Sequence, residues 1–489
     1  VPAEPSELCR WKTNFSMDKG ETRWTVYRFT TDPKTPLPGK PDDPLYSEVG
    51  HLYLDQGSLP TDGYPISLLR SALAVFSGQP VRIEARFIDH DSRNRTITYS
   101  YRLFDWKGSV VSEDKGKFET GQQGELVHTV AEINLTRVGC FKFELEASDG
   151  TTKIARQTVF AVLPKPHWYD NDTPHDGFYG GHARTSRTEI QIARMSGITW
   201  TRVHDSGGID EVRWWGREHS AEPQPGQYVL KDPVELRAFK KAGIKVNACL
   251  GTGSPRWLED RVLKMKNYRE EQPEWYYYPE ALELYKKYLR VMLKDRGHLI
   301  DAIEPQNEIW RDGNVPGQMN LLRATREVVD EVAPHILVVC PNAPPGSYGS
   351  PWATLCKEAG AGKLTDVVAG HFYCGRGNSA LGSETVMEQW CLSLRDLFTT
   401  EDGRSKPVWN TEWSTDYPTP FMDHPHHSAI VYSPGDPDLW LTPQMYAVVN
   451  VRQFIVMAVH GIKSFWHVYY PGSALTRRLH EYDSTPNPA

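Results

Sequence analysis

Three glycines in the second part of the chain most restrict what it can fold into. Gly197, Gly243 and Gly461 each stand between a helical pattern and a strand pattern, and an isoleucine follows each of them. Glycine readily adopts the left-handed conformation that ends many helices, and a β-branched residue favours a strand. The repeated motif therefore predicts strands that alternate with helices, as in parallel α/β folds.

The strand patterns of this region can be counted, and there are eight. Helical patterns such as that of residues 279–293 separate them. Eight parallel strands with helices between them, over about 320 residues, predict a (β/α)₈ barrel, or TIM barrel. The predicted strands are residues 177–181, 200–204, 244–250, 300–307, 336–341, 366–373, 407–412 and 462–469.

The end of the barrel sequence does not complete this pattern. Only residues 471–489 follow the eighth strand, and they are polar and rich in proline. They do not predict the helix that should close the barrel. We therefore expect either that the native chain continues past Ala489, so that the barrel is truncated before its last helix, or that another element covers the last strand.

The first part of the chain has a different pattern. Between residues 25 and 163 apolar residues alternate with polar ones, as in 81–87 and 140–146, which is typical of antiparallel strands. Residues 163–174 are rich in Pro and Asp and predict a linker. We therefore predict a multidomain β plus α/β chain, with an immunoglobulin-like antiparallel β-sandwich as an accessory domain over 1–165 and a catalytic barrel over 166–489.

Composition and charge exclude several classes of protein. The net charge is −7 without long like-charge runs, so we expect no nucleic-acid partner. No apolar stretch approaches 18 residues, so we expect no membrane span. The seven cysteines include no CxxC pair, which argues against a zinc site.

The chain begins at Val1 rather than Met, so any targeting segment was removed or never existed, and we expect a secreted or periplasmic protein. Nothing in the sequence indicates the oligomeric state.

Two glutamates lie where a barrel carries its chemistry. Glu308, preceded by Asn307, comes at the end of the fourth strand, and Glu412 comes at the end of the seventh. Active sites of such barrels form at these strand ends. For either glutamate alone, an ion pair or a helix cap is the more common role. Together they favour hydrolysis of a glycosidic bond between two carboxyl groups.

The residues around both glutamates resemble a known group of enzymes. Asn307-Glu308 and Thr411-Glu412-Trp413 resemble the catalytic signatures of glycoside hydrolase clan A, and residues 197–202, 254–257 and 371–373 are most similar to family 39, with families 5 and 42 also arguable. The resemblance implies a retaining mechanism, with Glu308 as acid/base and Glu412 as nucleophile. It implies no metal and no organic cofactor. It also implies an oligo- or polysaccharide substrate with β-linked xylose, glucose, galactose or uronate.

Other strand ends supply candidates for substrate binding. We expect Arg202 to hold Glu412 ionised, because a nearby opposite charge lowers the pKa of a carboxyl group. As the same position does in the clan, Asn307 is expected to bond a sugar hydroxyl. His371 and Tyr373 end the sixth strand, where one of them would contact Glu412 or the ring oxygen of the sugar.

Aromatic residues are unusually frequent, with 16 Trp and 23 Tyr. A flat aromatic ring suits the C–H face of a sugar. Trp466 ends the eighth strand and is expected to form a stacking floor. His204, Trp257, Trp310 and Trp413 are further candidates for subsite walls, with packing in the core equally expected for each.

The mechanism makes a geometric prediction. The two carboxyl groups of a retaining enzyme lie about 5 to 5.5 Å apart, whereas about 8 Å would indicate inversion. A rival hypothesis from another class is a carbohydrate-binding protein that keeps the barrel and its aromatic cleft without turnover. The sequence decides neither the sugar and its linkage nor internal against terminal cleavage.

Overall fold

A computed structural model describes most of the chain, with gaps. The described residues are 15–16, 22–23, 66–70, 74–88, 94–121, 125–151, 153–170, 175–182, 190, 193–203, 211–214, 220–251, 253–308, 315–343, 349–372, 383–413 and 443–466. Among the helices of this part, none is long and apolar enough to cross a membrane. The predictions for residues 467–489, including a missing last helix, lie outside the described residues.

The first region forms β-sheets. Two short strands pair with each other, β1 (Phe15–Ser16) and β2 (Thr22–Arg23). A three-stranded sheet has the order β3 (Ile66–Arg70), β5 (Pro80–Ile88), β8 (Glu125–Asn134). A five-stranded sheet has the order β4 (Ala74–Phe76), β10 (Lys153–Leu163), β9 (Gly139–Ser148), β6 (Thr96–Asp105), β7 (Val110–Glu119).

The two larger sheets contribute to one apolar core. In β9, Phe141, Phe143 and Leu145 are buried in alternation with polar residues, as the period of two predicts. They belong to the same cluster as Ile83 and Ile133 of the three-stranded sheet. The strand pairs are antiparallel apart from β4, which pairs parallel with β10. The immunoglobulin-like topology and the domain limits remain predictions.

Eight parallel strands then close into a barrel, as predicted. Each forms near its predicted position. The strands are β11 (Tyr179–Gly181), β12 (Trp200–Val203), β13 (Lys245–Cys249), β14 (Ala302–Glu304), β15 (Leu337–Ala343), β16 (Val367–Gly370), β17 (Val408–Trp413) and β18 (Lys463–Trp466).

Helices connect the strands along the chain. The described ones are α1 (Val234–Lys241), α2 (Arg256–Val262), α3 (Pro279–Arg296), α4 (Val315–Val332), α5 (Gly349–Glu358), α6 (Ala361–Leu364), α7 (Ser383–Leu397) and α8 (Pro443–Val459). The three glycines of the motif have the predicted left-handed backbone, with φ of 87° at Gly197, 70° at Gly243 and 70° at Gly461. The sequence motif therefore marks real helix ends.

The barrel has two apolar layers. Outward-facing strand residues such as Val203 and Ile303 pack with the surrounding helices. Inward-facing residues of six strands form a separate inner cluster, made of Trp200, Ala302, Val339, Val367, Ala369, Trp409 and Phe465. This inner cluster fills the end of the barrel at which the strands start, so polar side chains inside the barrel lie toward the other end.

Candidate active site

Regular alternation along four strands points polar side chains into the barrel. Trp200 and Ala302 belong to the inner cluster, so Arg202 and Glu304, two residues further along, face inward as well. By the same rule Asn247 lies inward on β13, where Val246 and Ala248 pack outward. His371 follows Ala369 in the same way and is fully buried.

Two other polar groups enter the site through irregularities. Simple alternation from Val339 or Trp409 would turn Asn342 and Glu412 outward. The strand register shifts between Val339 and Asn342 on β15 and between Asn410 and Trp413 on β17. Such irregularities re-aim side chains and are frequent next to active sites. Both side chains consequently face the barrel interior, where they contact residues of β12 and β14.

The guanidinium of Arg202 is the centre of this polar cluster. Its Nη1 donates to Glu412 Oε2 at 3.0 Å. Its Nε and Nη2 donate to the carboxylate of Glu304 at 3.0 and 2.7 Å. Nη2 also contacts Asn307 Oδ1 at 3.0 Å and Cys249 Sγ at 3.4 Å. The predicted contact between Arg202 and Glu412 is thus present, but Arg202 lies behind the carboxylate and is fully buried.

Glu304 is as deeply buried as Arg202, with a side-chain exposure of 0% for both. Two amides complete its environment. Asn247 Nδ2 donates to Oε1 at 2.6 Å, and Asn342 Nδ2 donates to Oε2 at 3.0 Å. Every hydrogen bond to this carboxylate therefore comes from a buried donor of a different strand.

Glu308 and Glu412 approach each other at the mouth of the barrel. One oxygen of each and a ring nitrogen of His371 all lie within 4.8 Å of one another. His371 Nδ1 is 3.1 Å from Glu308 Oε1 and 3.7 Å from Glu412 Oε2. His371 Nε2 lies 3.5 Å from Arg202 Nη2, which can only donate. A donor that faces Nε2 favours the tautomer with the proton on Nδ1, the nitrogen that faces Glu308 Oε1.

The backbone at Glu308 is unusual. Its φ is 49°, the one positive φ among the described residues other than glycine. Such a conformation costs an ordinary residue of order 1 to 3 kcal/mol and is common where a functional side chain must be presented. The left-handed turn directly after β14 brings Glu308 back over the barrel mouth toward His371.

Electrostatics hold the central cation charged. Burial acts to lower the pKa of Arg202, but the carboxylates of Glu304 and Glu412 more than reverse this effect, and the pKa is raised well above its ordinary value. Arg202 therefore keeps its proton at any working pH, and Glu412 always faces a positive charge.

The cluster has the composition, but not the electrostatics, of a metal site. Two carboxylates and a histidine within 4.8 Å of one another could surround a cation. However, the charge of Arg202 is 3.0 Å from Glu412 Oε2, and His371 Nδ1 already faces Glu308. A cation placed between the glutamates would be repelled by Arg202. The arrangement therefore fits acid/base and nucleophilic chemistry better than metal binding.

The other predicted site residues are either not described or lie outside the contacts of Arg202. His204, Trp310 and Tyr373 lie outside the described residues. Trp466 is 2% exposed and stacks on Trp413 with centroids 5.8 Å apart, so little of its ring is open to a sugar, and its role as a stacking floor remains a prediction. These two rings extend the packed wall of the barrel next to Glu412.

Trp257 lies at the start of α2, away from the contacts of Arg202. Its Nε1 donates to the backbone oxygen of Glu222 at 2.7 Å. Its ring lines a cavity of about 620 Å³ together with Arg261 and Lys264. Its role as a subsite wall remains a prediction.

Asn307 does lie in the cluster, as predicted from its position before Glu308. Its Oδ1 accepts from Arg202, and its Nδ2 has no partner among the described residues, so Nδ2 can donate to a substrate hydroxyl.

Sequence reasoning missed three members of the cluster. Glu304 accepts from the guanidinium of Arg202, and Asn247 and Asn342 donate to Glu304, but none of these contacts was predicted. A signal existed for Glu304, because an acidic residue inside an otherwise apolar strand must find a buried partner. Its partner lies 102 residues away in the sequence, so the pairing itself could not be read.

Comparisons with known proteins agree with this fold. No family model and no curated protein matches the chain. A solved structure of a family 39 glycoside hydrolase from the gut symbiont Bacteroides cellulosilyticus WH2 is similar with a TM-score of 0.60 at 17% identity, over 87% of this chain and 80% of that one.

Two further solved structures align over similar shares of this chain but with much lower scores. The endo-1,4-β-D-xylanase 10B of Clostridium thermocellum, solved as CBM22-1 and GH10 modules, has a TM-score of 0.42 at 9% identity, over 86% of each chain. A β-glucuronidase 2 of Bacteroides uniformis has 0.38 at 12% identity, over 87% of this chain and 49% of that one. The similarity to the Bacteroides cellulosilyticus enzyme carries the conclusion: this chain shares the fold of a family 39 glycoside hydrolase.

Proposed function

We propose that the protein is a retaining glycoside hydrolase that cleaves an oligo- or polysaccharide by double displacement. One observation carries the proposal: carboxylate oxygens of Glu308 and Glu412 lie within 4.8 Å of each other at the catalytic end of the barrel. A separation of this size is nearer to the about 5 to 5.5 Å between the carboxyl groups of retaining enzymes than to the about 6.5 to 9.5 Å of inverting ones. It fits direct attack by one carboxylate.

The surroundings of the two glutamates favour different roles. Glu412 Oε2 accepts from Arg202, whose permanent charge stabilises the ionised carboxylate that a nucleophile needs. Glu308 Oε1 faces His371 Nδ1 at 3.1 Å, and the guanidinium of Arg202 bonds to Glu412 rather than to Glu308. Glu412 is therefore the nucleophile, and Glu308 is the acid/base.

The reaction proceeds in two steps. Glu412 attacks the anomeric carbon and forms a covalent glycosyl ester, while Glu308 transfers its proton to the departing oxygen. Glu308, now ionised, accepts a hydrogen bond from His371 Nδ1. It then removes a proton from water, the water attacks the same carbon, and the ester to Glu412 breaks.

The proposal is tested with aryl glycosides and polysaccharides, on the intact protein beside Glu412→Ala and Glu308→Ala. We expect the first variant to lose activity by about 10⁴-fold or more. The second should lose about 10² to 10⁴-fold on substrates with poor leaving groups and much less on activated ones. Azide should restore both variants, giving glycosyl azides of opposite anomeric configuration.

A matched control separates chemistry from folding. Glu211 is also a buried glutamate, but it accepts from the backbone nitrogens of Glu235 and Leu236 at the start of α1. Glu211→Ala should lower stability and leave the activity of the folded protein unchanged. If Glu412→Ala hydrolysed the same substrates as the intact protein, the proposal would fail.

A further inference from the structure

Glu304 is held by hydrogen bonds from three buried side chains. It accepts hydrogen bonds from Arg202 Nε and Nη2, from Asn247 and from Asn342, at distances between 2.6 and 3.1 Å. Its side chain has no exposure to solvent. A carboxylate in this position cannot reach a substrate, so any role in hydrolysis must act through its neighbours.

We propose that Glu304 is a positioning residue, which aims Arg202 at Glu412 and Asn307 and so aligns both sides of the reaction centre. This inference rests on the proposed function. The atoms of the guanidinium explain how it works. A guanidinium is planar, so two bonds from Nε and Nη2 to one carboxylate fix its plane and its rotation. The directions of the two Nη1 N–H bonds are then fixed as well, and Nη1 donates to Glu412 Oε2 at 3.0 Å.

The same anchor reaches the residue beside the acid/base. Arg202 Nη2 donates to Asn307 Oδ1 at 3.0 Å, which turns the amide so that its nitrogen is available to a substrate hydroxyl. Asn307 directly precedes Glu308. Loss of the anchor at Glu304 would therefore misplace a nucleophile contact and a substrate contact at once.

Two buried amides donate to Glu304 while their own oxygen atoms stay unpaired in the described part of the chain. Asn247 and Asn342 donate through Nδ2 to the carboxylate, while their buried Oδ1 atoms have no hydrogen-bond partner among the described residues. A flipped amide would place two oxygens in contact, so this orientation is required. An unpaired buried acceptor lowers the stability of the fold, so a gain in stability does not explain why these amides are placed here. Moreover, Asn342 reaches Glu304 only because the register of β15 shifts.

The experiment compares Glu304→Gln, Glu304→Asp and the control Glu211→Gln in the full chain. Glutamine cannot accept the fork of Arg202 on both side-chain atoms. We expect kcat of Glu304→Gln to fall about 100-fold, as for a misplaced reacting group, with KM changed by less than about threefold. Aspartate keeps the charge and should recover about tenfold of the loss in kcat. Glu211→Gln should leave kcat unchanged.

Two further arms keep the test decisive. If Glu304→Gln does not fold, Asn247→Leu and Asn342→Leu each remove one donor to Glu304, and each should lower kcat by about tenfold. Crystal structures of the intact protein and Glu304→Gln test the positioning without any substrate, because the variant should lose the Arg202 Nη1 to Glu412 Oε2 contact.

The outcomes separate the two proposals. A kcat within about threefold of the intact protein in the glutamine or leucine variants would overturn the positioning role, as would a retained contact between Arg202 and Glu412 in the variant crystal. A protein that hydrolyses no glycoside, but whose variant crystal loses that contact, would overturn the proposed function and leave the positioning geometry standing.

Discussion

The two ends of the barrel each bury a cation, but with opposite electrostatic results. At the end that carries the proposed active site, Arg202 lies between Glu304 and Glu412, and its pKa is raised well above the ordinary value. At the other end, Lys463 lies over the faces of Trp200 and Trp409, 4.4 and 5.4 Å from their ring centres. Burial lowers its pKa to about 8, although Asp176 opposes the shift.

The partners explain the difference. Lys463 Nζ donates to Asp176 Oδ1 and to the backbone oxygen of Gly177, both at 2.7 Å, but the side chain of Asp176 is 62% exposed. One screened carboxylate does not offset the cost of burying an ammonium group. Arg202 faces two carboxylates that are themselves buried. The end with the proposed active site therefore pairs buried charges with each other, whereas the opposite end packs aromatic rings around a cation with one exposed partner.

Removal of the buried charge of Arg202 should have the largest effect on stability and activity. Arg202→Met leaves two buried carboxylates without a counter-charge, so we expect the free energy of unfolding to fall by about 3 to 5 kcal/mol. Hydrolysis should be lost with it. Arg202→Lys keeps a charge but cannot form the fork with Glu304, and it should regain part of the stability but little activity. Urea unfolding measures the stability of each variant, and steady-state kinetics measure its activity. An unchanged free energy of unfolding in Arg202→Met would contradict the proposed difference between the two ends of the barrel.

Crowding at the opposite end should have an intermediate effect on stability alone. A Cβ at Gly180 would approach Phe465 Cδ1 to 2.7 Å, inside the apolar inner layer of the barrel. Gly180→Ala should therefore lower the free energy of unfolding by about 1 to 3 kcal/mol. The folded fraction should keep the kcat of the intact protein. A large loss of kcat at full folding would show that the two ends are coupled.

Replacement of Lys463 should have the smallest effect on the free energy of unfolding. Lys463→Met should leave the free energy of unfolding at pH 7 unchanged or raise it by up to about 2 kcal/mol. The pH dependence gives the sharper readout. The folded pKa of Lys463, about 8, lies below the value of 10.5 for an unburied lysine. The folded protein therefore binds fewer protons between these values, and its stability rises with pH there. Calorimetry between pH 7 and 10 should show this rise in the intact protein and not in Lys463→Met.

The sequence predicted the barrel because its signals are local. Gly197, Gly243 and Gly461 mark helix ends through their own backbone preference, and the strands after them begin within a few residues of the predicted positions. The approximate places of Glu308 and Glu412 followed from the same count. The parallel pairing of β4 with β10 was not predicted, since alternation along a strand does not reveal its neighbour.

The interior of the site depends on signals that are not local. Glu412 and Asn342 face the barrel axis because of register shifts, which break the alternation on which a sequence interpretation rests. The left-handed backbone of Glu308 could not be predicted from its residue type, because such a conformation is usually marked by glycine and this position holds glutamate. Glu304 and Arg202 meet across 102 residues. The positions of Glu308 and Glu412 at the strand ends could therefore be predicted, but the polar layer beneath them could not.

The most direct test of the retaining mechanism is the anomeric configuration of the sugar that is released first. Proton NMR of a hydrolysis reaction, recorded before the anomers equilibrate, shows which anomer forms first. With Glu308 and Glu412 oxygens within 4.8 Å, we expect the same anomeric configuration in product and substrate. An inverted first product would contradict the assignment of Glu412 as a nucleophile.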